Sequence, residues 1–167
     1  MTKLFHGYGV AKRVLTVLLL LGTLESVAET RVAAGEALYQ RCAACHLKTG
    51  KGVPGMFPPL NQRLRPLMET PLGRDYLAMV IEAGLIGSIN VEGLSYRGIM
   101  PAQGAAMSND EVAQLLNYIL QTFNPDALED NWQAYTEAEI EDIRSRYPKA
   151  TGRDVHALRQ RALASVR

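Results

Sequence analysis

Cys42-Ala43-Ala44-Cys45-His46 decides how this chain is read. On one helical turn, residues i and i+3 face the same way, so both thiols can add across the two vinyl groups of one porphyrin. The adjacent His46 then sits under the iron and supplies the proximal imidazole. C-x-x-C-H is the attachment signature of a c-type haem for that reason. Two other chemistries use similar residues. A bare C-x-x-C serves as a redox pair in thioredoxin-like proteins, but beside a βαβ pattern, which is absent here. Cys42, Cys45 and His46 could ligate zinc, but a closed structural site needs four ligands. The chain has 2 cysteines, and His6 and His156 lie far from the motif. One covalent haem c is the expected cofactor.

Export is expected too. Residues 1–28 read as a secretory signal, with Lys3, Lys12 and Arg13 forming a positive n-region and Val14 to Leu24 an apolar h-region. Ser26-Val27-Ala28 is a small-residue cleavage site. The alternative is an uncleaved anchor, but so short an apolar run falls well below the ~20 residues of a spanning helix. Exported chains meet the oxidising side of the membrane, where two free thiols would risk forming a disulfide. Attachment to haem consumes them instead. These readings place the mature chain in the periplasm among redox partner proteins, with no transmembrane span left after cleavage.

The 167 residues are 47 % hydrophobic and 21 % charged, with 8 prolines, a globular composition. The chain beyond residue 28 is long enough for one domain. Net charge hides a split. Residues 29–125 carry 8 basic and 8 acidic side chains; residues 126–142 carry 7 acids and no base; residues 143–167 carry 7 bases and 1 acid. The haem region has no basic stripe, which argues against nucleic acid as a partner.

Hydrophobic spacing indicates helices and loops, with no convincing alternating strand. Arg31 to about Cys45 reads as a first helix, with Leu38, Cys42 and Cys45 on one face. Gly35 inside it costs about 1 kcal/mol relative to alanine and so signals a close packing contact. Thr49 to Pro59 is a Gly/Pro-rich loop. Thr70-Pro71 opens a second helix that Gly84 can end. Leu85 to Met107 is a long glycine-punctuated segment, of the kind that usually serves function. A Ser108/Glu111 capping box starts a third helix, which Asn124-Pro125 ends. A second box, Thr136/Glu139, starts a fourth helix stopping near Pro148, and a weakly amphipathic helix follows from Asp154 to Val166.

With these pieces placed, residues 33–124 closely resemble the class I monohaem bacterial cytochromes c. The residues that carry the resemblance are Gly35, Tyr39, the haem motif, Gly50-x-Gly52, Phe57-Pro58-Pro59-Leu60, Val91-x-Gly93, Tyr96-x-Gly98-x-Met100-Pro101 and Tyr118. Arg97 departs from the small polar residue expected between Tyr96 and Gly98. The resemblance implies an all-α class I cytochrome c fold, three core helices around one covalent haem, plus a helical C-terminal extension. Its first and last core helices would cross at Gly35 and Tyr118. The expected divisions are a signal at 1–28, a haem domain at 29–125 and a charged extension at 126–167.

The iron needs a donor opposite His46. A lone methionine is more often core filler than ligand. Met100 is favoured among Met56, Met68, Met79, Met100 and Met107 because it lies in the Gly-rich segment before Pro101 and matches the family's ligand position; Met107 is the runner-up. The resemblance also assigns the Pro58 carbonyl as acceptor for the other His46 ring nitrogen, although both prolines could simply shape a turn. Met/His ligation fills both axial positions, which implies outer-sphere electron transfer by a soluble carrier or by the cytochrome subunit of a dehydrogenase- or nitrite-reductase-type enzyme. No Ser/His/Asp set, second haem motif or paired-carboxylate site suggests catalysis. The alternative is a haem enzyme or gas sensor with an open sixth position. Residues around Asn131-Trp132 and 136–140 weakly resemble extensions of cytochromes linked to such enzymes. A plainer reading is a helical flap, in which Trp132, Tyr135, Ile140 and Ile143 cover apolar surface while the charges stay solvated. The chain beyond Pro148 is expected to be loose. Removing everything after Asn124 should then cost little stability. Oligomeric state is not legible.

Overall fold

Helix α1 runs through residues 30–46 of the computed structural model, which describes residues 30–128 and 132–166. The secretory signal read at 1–28 lies outside the described residues. α1 crosses α4 (Asn109–Phe123) at Gly35, where a Cβ would stand 2.5 Å from Tyr118 Cβ and 2.6 Å from the Gln114 carbonyl oxygen. Only a hydrogen fits, so the close approach offsets what glycine costs inside a helix. This is the crossing the resemblance implies. The Tyr39 ring packs 5.6 Å from Tyr118 and 5.0 Å from Phe123, closing the joint with tilted aromatic pairs. Both halves of the Ser108/Glu111 capping box form.

Helix α3 (Pro71–Ala83) is capped by Thr70, whose hydroxyl accepts the Gly73 N–H, and it stops at Gly84 with φ +73°. Before it lies α2 (Arg65–Met68), a single turn too short to show periodicity in the sequence.

Helices dominate, but the segment after Gly84 corrects the strand-free expectation. β1 (Leu85–Ile86) pairs antiparallel with β4 (Ile99–Met100), and β2 (Ile89–Val91) with β3 (Leu94–Tyr96). Strands of two or three residues cannot display an alternation. Glu92 and Gly93 both take positive φ, +51° and +81°, as a two-residue type I′ hairpin demands. The Asn90 side chain accepts the Gly93 N–H at 2.9 Å.

The C-terminal helices α5 (Glu137–Arg146) and α6 (Gly152–Ala164) correct the sequence reading most. Thr136 caps α5, but Glu139 does not complete a box; its carboxylate takes both arms of the Arg74 guanidinium on α3, each at 2.7 Å. Arg144 pairs with Glu82 at 2.7 Å, and Arg146 with Asp75. Asp75 is 4 % exposed, so the charges do not simply stay solvated. Nor is the chain beyond Pro148 loose. A Thr151/Asp154 capping box starts α6, whose Val155, Leu158 and Ala162 are buried against α3 and β1. Tyr135, Ile140 and Ile143, each 1 % exposed, join the same core as Leu115 and Leu120, while Trp132 is half-buried against it. Asn117 of α4 fastens the entry to this region by two hydrogen bonds to the Tyr135 backbone, at 2.8 and 2.9 Å.

Candidate haem site

The C-terminal end of α1 sets Cys42, Cys45 and His46 on the wall of a cavity of about 380 Å³. Helical spacing puts both thiols on that wall, and both cysteines are free and half-buried. Burial pushes the Cys42 thiol up, beyond the opposing pull of Arg41.

His46 is 8 % exposed, and its Nδ1 lies 2.9 Å from the Pro58 carbonyl oxygen. A carbonyl can only accept, so Nδ1 carries the proton and Nε2 keeps its lone pair, the form a metal takes. Burial lowers the imidazole's pKa and so favours the neutral ring, against the opposing effect of the Pro58 hydrogen bond.

The loop brings that carbonyl into place through glycines. Gly52 has φ +61°, and a Cβ there would press on the Pro58 carbonyl at 2.7 Å. The Gly52 N–H also returns to the His46 carbonyl at 3.0 Å, and Val53 and Phe57 close a tight turn at 2.8 Å. Tyr39 donates its hydroxyl to the Leu47 carbonyl at 2.8 Å just past the end of α1.

Met100 enters from the opposite part of the chain. β4 holds it across from Leu85 at the end of α3, where Gly84 leaves room for the Met100 carbonyl. The Gln103 N–H bonds the Ile81 carbonyl at 2.8 Å and fixes the segment beyond Pro101. Met56 and Met100 line the cavity; Met68, Met79 and Met107 do not, and the last two are buried elsewhere in the core. Cys42, Cys45, His46, Pro58 and Met100 thus share one cavity.

The rest of the lining is largely apolar, including Leu64, Leu67, Leu77, Ile81, Leu116 and Ile119, and contains no carboxylate. Three arginines, Arg63, Arg97 and Arg159, also reach it, and the buried Nε of Arg63 has no hydrogen-bond partner. Two thiols, a neutral imidazole, an apolar cleft and unmatched cationic donors fit a flat apolar macrocycle that carries two carboxylates. Arg159 was not identified in the sequence. It lies over a hundred residues beyond His46, and no local pattern connects the two.

This fold and this site define a c-type cytochrome. The family model for cytochrome c matches residues 32–123, and the chain belongs to that family. Among relatives, the chain is 35 % identical over 150 residues to a protein named cytochrome c-552 from Thermus thermophilus, covering 90 % of this chain and 97 % of that protein. It is 33 % identical over 127 residues to a second cytochrome c-552 of Thermus thermophilus, covering 76 % of this chain and 95 % of the relative. With 150 of 167 residues aligned, the first match runs well past residue 123 and through α5. The chain carries covalent haem c and acts in electron transfer.

Proposed function

We propose that this chain is an exported, periplasmic electron carrier whose iron is held between His46 and Met100. The observation that carries the reading is the pairing of a neutral His46, hydrogen-bonded to the Pro58 carbonyl, with Met100 on the same cavity. Haem held by His46 and Met100 would have a raised reduction potential and would supply outer-sphere electron transfer. The protein's part is to hold the ligands, exclude water and present an edge. Ile99 and Met56, 72 % and 60 % exposed, lie at the cavity rim and give an approaching redox protein an apolar contact. Pro58 acts through His46, fixing its tautomer and ring plane. Residues 1–28 act as the export signal, the haem domain spans 29–125, and 126–167 form an extension built onto it. Among the described residues no helix is long and apolar enough to cross a membrane.

Met100→Ala tests the ligand assignment. We expect loss of the weak far-red sulfur-to-ferric-iron band, a lower reduction potential and binding of added imidazole at the iron. A band that survives in Met100→Ala and disappears in Met56→Ala moves the ligand to Met56, the other methionine on the cavity wall. High-spin iron in the parent protein would instead support a haem enzyme or gas sensor.

A further inference from the structure

Arg159 is a charge without a counter-charge. It lies in α6, is 9 % exposed and lines the haem cavity. Its one hydrogen bond to the backbone is a long one, from Nη2 to the Asn90 carbonyl at 3.3 Å, and it also meets the buried Tyr76 hydroxyl of α3. Among the described residues no carboxylate pairs with it. A guanidinium has five N–H donors and is never neutral in a protein. Burying one unpaired costs several kcal/mol, so natural chains seldom do it.

The other arginines on this chain's buried or half-buried surfaces show the contrast. The half-buried Arg74 and Arg144 each meet a carboxylate of α5 or α3, and even the exposed Arg146 meets two. Of the two remaining cavity arginines, Arg97 is exposed and Arg63 already pairs with Glu92 at 2.6 Å. Among the described residues only Arg159 is both buried and unmatched by a carboxylate, and the described residues lining the cavity it faces include no acid.

We infer that Arg159, supplied by the C-terminal extension, binds a propionate carboxylate of the haem. The inference rests on haem c occupying this cavity, and it gives α6 a role in the cofactor site. A fork of N–H donors suits a carboxylate in two-point contact, and the pairing is strong where water is excluded. Tyr76 from α3 and Arg63 and Arg97 from the loops face the same space, and His156, one turn earlier on α6, is bonded to the Ser88 carbonyl at 2.8 Å. Among the described groups lining the cavity, none supplies a competing negative charge at neutral pH.

The test is a titration of the propionates themselves in the holoprotein. Haem made from 5-aminolevulinate labelled with carbon-13 at its carboxyl carries the label only in its two propionate carboxyls. Carbon NMR of the reduced protein then follows each one with pH. In the parent we expect one carboxyl to titrate below the usual carboxylate value of about 4.3. In Arg159→Gln that carboxyl should bind its proton at least about tenfold more tightly, and Arg159→Lys should restore most of the difference. Both carboxyls titrating identically in the parent and Arg159→Gln would overturn the inference. Should Arg159→Gln fail to mature, the parent decides: both carboxyls titrating at or above the usual value overturns it, and one held below supports it. A parent that contains no covalent haem would refute the site reading itself, a result visible in the denatured mass before any titration.

Discussion

The cavity side and the C-terminal side of this molecule are stabilised in opposite ways. Around the cavity, α1, the 47–64 loop and the short strands at 85–100 surround space rather than each other. Leu64, Leu67, Leu77 and Ile81 turn toward that space, and much of what would be core there is cofactor. On the other side, α5 and α6 close on α3 and α4 with side chains alone. Tyr135, Ile140, Ile143, Val155 and Leu158 are each no more than 2 % exposed, and their edges are tied by the Arg74–Glu139, Arg144–Glu82 and Arg146–Asp75 pairs. One half needs a ligand to be a core; the other is a core already.

Removing the cofactor should break the comparison most visibly. Each aliphatic side chain that loses its apolar partner forfeits about 1.5–3 kcal/mol, and several lose theirs together, against a net stability of roughly 5–15 kcal/mol. We expect Cys42→Ala with Cys45→Ala to leave a haem-free chain with no cooperative thermal transition. Limited proteolysis should cut it first within 47–64 and 85–101, and last within 109–123 and 137–164. A cooperative melt near that of the parent would show that the cavity side packs without haem.

The reciprocal experiment removes the other half. Stopping the chain after Leu128 strips six buried apolar side chains from α3 and α4 and leaves Asp75 and Glu82 without their arginines. Burial of each side chain larger than alanine is worth about 1.5–3 kcal/mol before the ordering entropy of the removed helices is returned. We expect the truncated holoprotein to melt at least about 15 °C lower by circular dichroism. A midpoint within about 5 °C of the parent would restore the flap reading of the sequence.

The legibility of the chain follows the same division. Chemistry that is local in sequence is readable: the two thiols and His46 on one helical turn, the Ser108/Glu111 cap, and the cost of Gly35 inside a helix, for which the family resemblance, not local chemistry, supplies Tyr118 as the partner. Relations across long separations are not. Glu139 has the spacing of a capping box, yet bonds Arg74, 65 residues away, because a bidentate guanidinium competes better for a carboxylate than one N–H. α6 is only weakly amphipathic in sequence because two of its inward-facing positions are Arg159 and Gly152. Gly152 packs directly on Ile86, where a Cβ would meet Cγ1 at 2.9 Å. Polarity pattern alone cannot distinguish such a helix from a solvated one.

Asn124 sits where the two halves meet, and it sharpens the comparison with the smallest expected effect. It ends α4, is 1 % exposed, and its side-chain oxygen accepts the N–H groups of Arg63 and Leu64, each at 3.1 Å. Its amide donates to the Leu60 carbonyl at 2.8 Å and to the Ile119 carbonyl at 3.3 Å. One side chain thus pins the haem-side loop to the helix that the C-terminal core is built on. Asn124→Ala strands the Leu64 N–H in a buried site and frees the Leu60 carbonyl, each at about 1–3 kcal/mol. Asn124→Asp keeps the acceptor but buries a carboxylate and sets its second oxygen against the Leu60 carbonyl, so at neutral pH it should be at least as destabilising as alanine in urea denaturation. The location of the damage matters more than its size. If the halves are stabilised independently, hydrogen exchange in Asn124→Ala should quicken at Arg63, Leu64 and Leu67 and leave the amides of 152–164 at parental rates. Equal acceleration in α6 would mean that the loop and the C-terminal helices open as one unit, with the haem side and the protein-only side sharing a single cooperative core.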